Sequence, residues 1–171
     1  VKSRNLGFII LSGALAAPAA FAQQAAFDPA QCEGHTAQDC NDLMGSREVP
    51  PDQRQKVLLG RATALLQKHD LDGSIAEYRE MTVIDPHSWM AYSTLGFLES
   101  IGEKWPAAAT DLKRAVEIAP DQERIRAMLA VALAKSGDCS GATAALDEEK
   151  AKTKDPSTVV AAEQSVAATC H

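Results

Sequence analysis

The sequence predicts an all-α protein, a solenoid of stacked helix pairs, and three observations carry that prediction. First, 31 of the 171 residues are alanine and only eight are aromatic. Alanine is the strongest helix former, whereas sheets draw on aromatic and β-branched side chains. Second, the phrase MTVIDP at 81–86 returns as AVEIAP at 115–120, a step of 34 residues. Third, small residues twelve apart recur in that frame, as Ala62/Ser74, Gly96/Ala108 and Ala130/Ala142. A fixed period of this size marks one supersecondary unit repeated along the chain. The composition, 46% apolar and 23% charged, suits a chain long enough to bury a core of its own. With 17 basic against 23 acidic side chains and no basic block, nucleic acid and anionic membrane surfaces are poor partners.

Residues 1–22 are expected to be an address rather than part of the fold. Lys2 and Arg4 precede an uncharged apolar run at 6–17, and Ala20 and Ala22 then stand as an A-x-A cleavage site. Basic start, short apolar run and small-residue site together make a secretory signal, cut between Ala22 and Gln23. Twelve residues at about 1.5 Å each reach ~18 Å, short of a ~30 Å hydrocarbon core. No cysteine follows at the position a lipid anchor needs. Cleavage would leave 149 residues, lower the basic count to 15 and bring the formal charge to −8. The expected location is the periplasm or the external medium.

Residues 23–52 are expected to form a loop or short-helix segment. It holds two of the four cysteines, Cys32 and Cys40; the others are Cys139 and Cys170. An even count in an exported chain favours disulfides, with three possible pairings. The rival is a metal or haem site built on Cys32, His35 and Cys40. Their C-x₂-H-x₄-C spacing has no second short Cys/His pair to complete a tetrahedron, and no C-x-x-C-H is present. No metal site is therefore assigned, and no cofactor is expected.

The repeats occupy 53–156, as copies at 55–88, 89–122 and 123–156. Each holds two apolar-periodic segments of about 13 residues, joined by polar turns at 69–73, 102–106 and 136–141. The small residues let paired helices approach, and Tyr78, Leu112 and Leu146 fill the space to the next copy. Pro86 and Pro120 close the second helices because proline cannot continue the hydrogen-bond ladder. Residues 157–171, with small apolar residues at helical spacing and Ser157 or Thr158 as a cap, are expected to cover the last apolar face.

The frame resembles the tetratricopeptide repeat (TPR) motif, and the resemblance spans about 100 residues. The second copy matches best, through Tyr92, Leu95, Gly96, Ala108, Ala115 and Pro120, with Leu112 and Glu99 where aromatics are usual. The first supplies Ala62, Leu65, Tyr78 and Pro86 but departs at Arg61 and Met81. The third supplies Leu129, Ala130, Gly137, Asp138, Ala142 and Leu146. It carries Glu149 where alanine is usual, and its proline, Pro156, comes late. With that architecture the capping helix runs antiparallel to the second helix of the third copy. A Cys139–Cys170 bond then joins neighbouring ends, and Cys32–Cys40 closes the N-terminal segment.

The resemblance implies that the first helix of each repeat lines a concave face that meets a peptide or helix. By motif position this face holds Lys56, Leu59, Thr63 and Leu66 from the first copy. The second gives Met90, Ser93, Thr94, Phe97 and Ile101, and the third Arg124, Ala127, Val131 and Lys135. The TPR clamp for a C-terminal carboxylate needs Lys, Asn, Asn, Lys and Arg. Here Leu59, Thr63, Thr94, Arg124 and Met128 stand there, so capture of an apolar segment is the better expectation.

No motif carries catalysis. The histidines, His35, His69, His87 and His171, are scattered, and no H-E-x-x-H, G-x-S-x-G or phosphate-binding glycine loop occurs. The acidic run at 147–149, beside Lys150, Lys152 and Lys154, is expected to be a solvated helix face. The expected function is a non-enzymatic exported adaptor that binds a protein partner. The alternatives are a homo-oligomerising envelope scaffold and the metal- or haem-handling protein above.

Overall fold

Helix follows helix from residue 51 onward because the same start and stop chemistry returns with each repeat. The computed structural model describes residues 51–154 and 156–170. The expected leader, the segment before residue 51, His35, the Cys32–Cys40 bond and His171 lie outside them. The described residues form α1 (Pro51–Gln67), α2 (Leu71–Ile84), α3 (Trp89–Ile101), α4 (Trp105–Ile118), α5 (Ile125–Lys135), α6 (Cys139–Lys152) and α7 (Ser157–Thr169). The architecture is all-α, as the period predicts.

Each pair turns over in three residues, 68–70, 102–104 and 136–138. The middle residue of each turn is left-handed: His69 at φ 61°, Glu103 at 55° and Gly137 at 95°. These turns are shorter than the sequence suggested, because Gly73, Pro106 and Gly141 already belong to the following helices. Asp70 and Asp138 cap those helices, each carboxylate accepting at 2.8 Å from the backbone N–H of Gly73 or Gly141. Lys104 stands at the same place in the second copy and makes no side-chain cap; Pro106 opens that helix instead. At the far ends, Asp85 (φ −129°, ψ 91°) and Ala119 (φ −133°, ψ 75°) leave the helical region. Each precedes a proline, whose ring disfavours helical backbone on the residue before it.

The helices pack as sequential pairs, α1 on α2, α3 on α4 and α5 on α6, with α2 on α3 and α4 on α5 joining them. The small residues of the frame sit at these contacts: Ala62, Ser74, Ala108, Ala130 and Ala142 have no exposed surface. At Gly96 a β-carbon would stand 2.7 Å from Leu112 Cγ and 3.0 Å from the Ala108 carbonyl. The core is uneven along the array. One large cluster runs through α4, α5, α6 and α7, with Leu112, Ile125, Leu129, Leu146 and Val159 among its members. The first repeat contributes two small groups, Leu58–Met81–Ala91 and Ile75–Leu95–Leu98, with Tyr78 against both.

Helix α7 caps the array. It packs on α5 and α6 and buries Val159, Ala162 and Val166. Its start differs from the sequence expectation: Pro156 is the N-cap, without a side-chain cap bond, and Ser157 is the first helical residue. Cys139, at the first turn of α6, and Cys170, just past α7, form a disulfide with Cα atoms 5.5 Å apart. The disulfide present in the described residues is thus at the C-terminal end of the array.

Candidate functional site

Helices α1 and α3 are apolar on two faces, which packing alone does not require. On α1, Val57, Leu58, Ala62 and Leu65 are buried, while Leu59 (48% exposed) and Leu66 (38%), seven residues apart, face outward. On α3, Ala91, Leu95 and Leu98 are buried, while Met90 (61%), Phe97 (49%) and Ile101 (55%) face outward. These five are most of the large apolar side chains exposed among the described residues, the others being Val83 and Val160. Lys56 and Met90, and likewise Thr63 and Phe97, are 34 apart, so both outward stripes occupy one face of the repeating unit. The two helices are tied by the Leu58–Met81–Ala91 group beneath them. An exposed apolar surface of this kind is a surface for another molecule more often than an accident.

The remaining positions on this face divide by burial. Lys56 and Thr63 are exposed and Thr94 is half-buried. Ser93 and Ala127 are buried, so neither offers a side chain to a ligand. Thr63 Oγ1 donates to the Leu59 carbonyl at 2.9 Å and Ser93 Oγ to the Met90 carbonyl at 3.1 Å. Both hydroxyls are thereby occupied within their own helices. In the third repeat Val131 is half-buried, and Arg124 and Lys135 are exposed at opposite ends of α5. The apolar surface is concentrated on the first two repeats; the exposed cations among these positions are Lys56 on α1 and Arg124 and Lys135 at the two ends of α5.

Buried charge is the feature that sequence reasoning missed. Arg61 Nη2 and Glu77 Oε1 pair at 2.6 Å between α1 and α2, both nearly enclosed. Burial pushes the Glu77 carboxyl up, against the lowering effect of Arg61. Arg79 of α2 reaches Glu99 of α3 at 2.7 Å, and Glu99 is fully enclosed. Arg126 lies 3.4 Å from Glu148 and 3.9 Å from Glu149, and it donates to the Pro120 carbonyl. Glu149 is 1% exposed, and its Oε1 accepts from the Arg124 backbone N–H at 2.8 Å. Asp147 and Glu148 stay exposed, with Asp147 4.0 Å from Lys150 as a solvated face requires, so the reading of 147–149 as such a face is corrected at Glu149 alone. Glu149 is turned inward to satisfy the start of α5, whose first residues lack a side-chain cap. The available signal was the motif itself: Arg61, Glu99 and Glu149 are three of its departures, and each is an enclosed ionisable side chain with a partner.

A cavity of about 320 Å³ beside Arg126 is lined by Asp121, Glu123 and Glu149 as well as Lys152 and Lys154. Its opposing charges balance, and Glu149 already occupies the anion position at the α5 terminus. Among the described residues no group of three or more His, Cys, Asp or Glu side chains is placed to hold a metal ion. The candidate ligands Cys32, His35 and Cys40 are not among those residues. His69 and His87 are exposed in turns.

No protein-family model matches the chain, and no curated protein matches it significantly. Solved structures do. The chain is similar to an O-GlcNAc transferase mutant of Thermobaculum terrenum, with TM-score 0.55 and 23% identity over 68% of this chain. It spans only 23% of that enzyme's length. It is also similar to a double mutant of MamA RS-1, with TM-score 0.54 and 13% identity, covering 78% of this chain and 82% of the other. These likenesses establish the fold: a TPR-like helical repeat array.

Proposed function

We propose that this chain is an exported, non-catalytic TPR-like module that docks a protein segment along the outward face of α1 and α3. The observation that carries the reading is the concentration of exposed apolar side chains there, at Leu59, Leu66, Met90, Phe97 and Ile101. An amphipathic helix fits such a surface through residues at i, i+3, i+4 and i+7. Lys56, Arg124 and Lys135 favour a partner with acidic residues flanking its apolar stripe. The turns at 68–70, 102–104 and 136–138 serve the fold, and the sequence carries no motif that joins a nucleophile to a base. The fold likeness to a transferase does not extend to its activity, since this chain matches a minor part of that enzyme.

The test is cross-linked capture from the native cell envelope with Leu66→Asp and Phe97→Asp chains. Both positions are exposed, so the variants should keep the wild-type fold by circular dichroism. Loss of the captured partner in both is expected. Undiminished capture by both folded variants rejects this face as the docking site. Export is checked separately, by N-terminal sequencing of the mature protein, which is expected to begin at Gln23.

A further inference from the structure

The joint between the first two repeats holds a carboxyl that its surroundings cannot satisfy in the ionised form. Glu99 has no exposed side-chain surface, and its Oε1 accepts from Arg79 Nη2 of α2 at 2.7 Å. Its Oε2 is buried with no donor beside it. The polar group that meets this carboxyl is the half-buried side chain of Asp111, on α4. Two ionised carboxyls offer only acceptors, so no hydrogen bond joins them unless one keeps its proton. Two negative charges beside a single guanidinium are also unfavourable away from water. One proton resolves both difficulties. With that proton on Oε2, Glu99 would donate to Asp111, and Arg79 would balance the single charge that remains.

We propose that Glu99 and Asp111 share one proton across the α3–α4 contact within the second repeat, making this contact a pH-sensitive element that is firm when protonated and loosens as the proton leaves. The charged groups acting on either carboxyl are the other carboxyl and Arg79. Helix α5 also touches α3. It turns Arg126 to Glu148 and Glu149, and it leaves Arg124 and Lys135 exposed. Burial first, and Asp111 second, push Glu99 up to about 7, with Arg79 acting in the opposite direction. Burial also raises Asp111, while the bond from Glu99 and the charge of Arg79 hold it down, so Glu99 carries the proton. Both carboxyls titrate higher in the folded chain than in the unfolded one. Their contribution to stability is therefore full below the unfolded carboxylate range, about pH 4. It is lost progressively as pH rises through about 7.

Two measurements on the full chain test this. Carbon-13 NMR titration of the Glu99 carboxyl is expected to show a midpoint near neutrality that moves down in Asp111→Asn. A midpoint in the ordinary glutamate range, near ~4.3, overturns the shared proton. In thermal melts, the wild-type midpoint is expected to fall as pH is raised from mildly acidic to mildly alkaline. Glu99→Gln, whose amide donates the same bond and cannot ionise, is expected to flatten that fall. A wild-type midpoint that does not fall, or an equal fall in Glu99→Gln, overturns the proposal. Should Glu99→Gln fail to fold, the titration of the wild-type chain decides alone.

Discussion

Three residues 34 apart, His69, Glu103 and Gly137, each reverse the chain in the left-handed backbone region. A β-carbon there costs roughly 1–2 kcal/mol, which glycine avoids. Glu103→Gly is therefore expected to raise stability by up to ~1 kcal/mol, after the greater unfolded-state freedom of glycine is deducted. Gly137→Ala is expected to lower it by ~1 kcal/mol. Nothing lies within 4 Å of the added methyl, so backbone strain is the whole effect. Urea denaturation of both variants checks the pair of signs. Arg61 shows the opposite side of residue-level reading. The frame places leucine at this position in the other two copies, Leu95 and Leu129. Arg61→Leu nevertheless strands the buried Glu77 carboxylate, and breaking a buried pair costs about 3–5 kcal/mol. The loss is expected to shrink at acidic pH, where Glu77, already pushed up by burial, takes a proton. Denaturant curves at acidic and neutral pH measure that difference. The motif departure at Arg61 was visible in the sequence. Its meaning was not, because Glu77 is 16 residues away and only the α1–α2 contact brings it to 2.6 Å.

At the scale of helices, the twelve-residue spacing of small side chains was the most informative pattern. It marks the closest approach within each pair, since a large residue there would hold the axes apart. Gly96→Ala tests this. Alanine favours the interior of α3 by about 1 kcal/mol. Against that, the new methyl would press on Leu112 Cγ and the Ala108 carbonyl, and overpacking costs about 1–3 kcal/mol. A net loss of stability is expected, read as a lower melting temperature; a gain would mean that α3 and α4 can separate freely. Helix boundaries were less legible. The glycines at 73 and 141 looked like turn residues, but the caps Asp70 and Asp138 draw them into the first helical turn. The cap at α7 falls before both expected residues, since Pro156 holds the N-cap position instead of Ser157 or Thr158.

Across the whole molecule the core grows toward the C-terminus. The large cluster spans α4 to α7, whereas repeat one relies on two small groups and the Arg61–Glu77 pair. Repeat arrays are held by nearest-neighbour contacts, so their ends need not unfold together. Hydrogen exchange is expected to be fastest in α1 and α2 and slowest in α5 and α6; uniform protection would contradict the gradient. The Cys139–Cys170 bond closes a separation of 31 residues, for which chain entropy gives roughly 3–4 kcal/mol of stabilisation. Replacing both cysteines by serine is expected to lower stability by about that amount and to accelerate exchange in α7 first.

The sequence by itself determined the period, the number of helix pairs, the small contacts within them, the capping helix and the pairing of Cys139 with Cys170. All of these rest on local propensity and on a frame that repeats, which a one-dimensional pattern records. Tertiary structure alone decided the placement of charge. Glu77, Glu99 and Glu149 could each have faced water on an isolated helix. Which faces are enclosed depends on how neighbouring repeats stack, and burial then requires the partners Arg61, Arg79 and Arg126. The same stacking decided that Leu59, Leu66, Met90, Phe97 and Ile101 stay in solvent while Leu58, Leu65, Ala91 and Leu98 are buried.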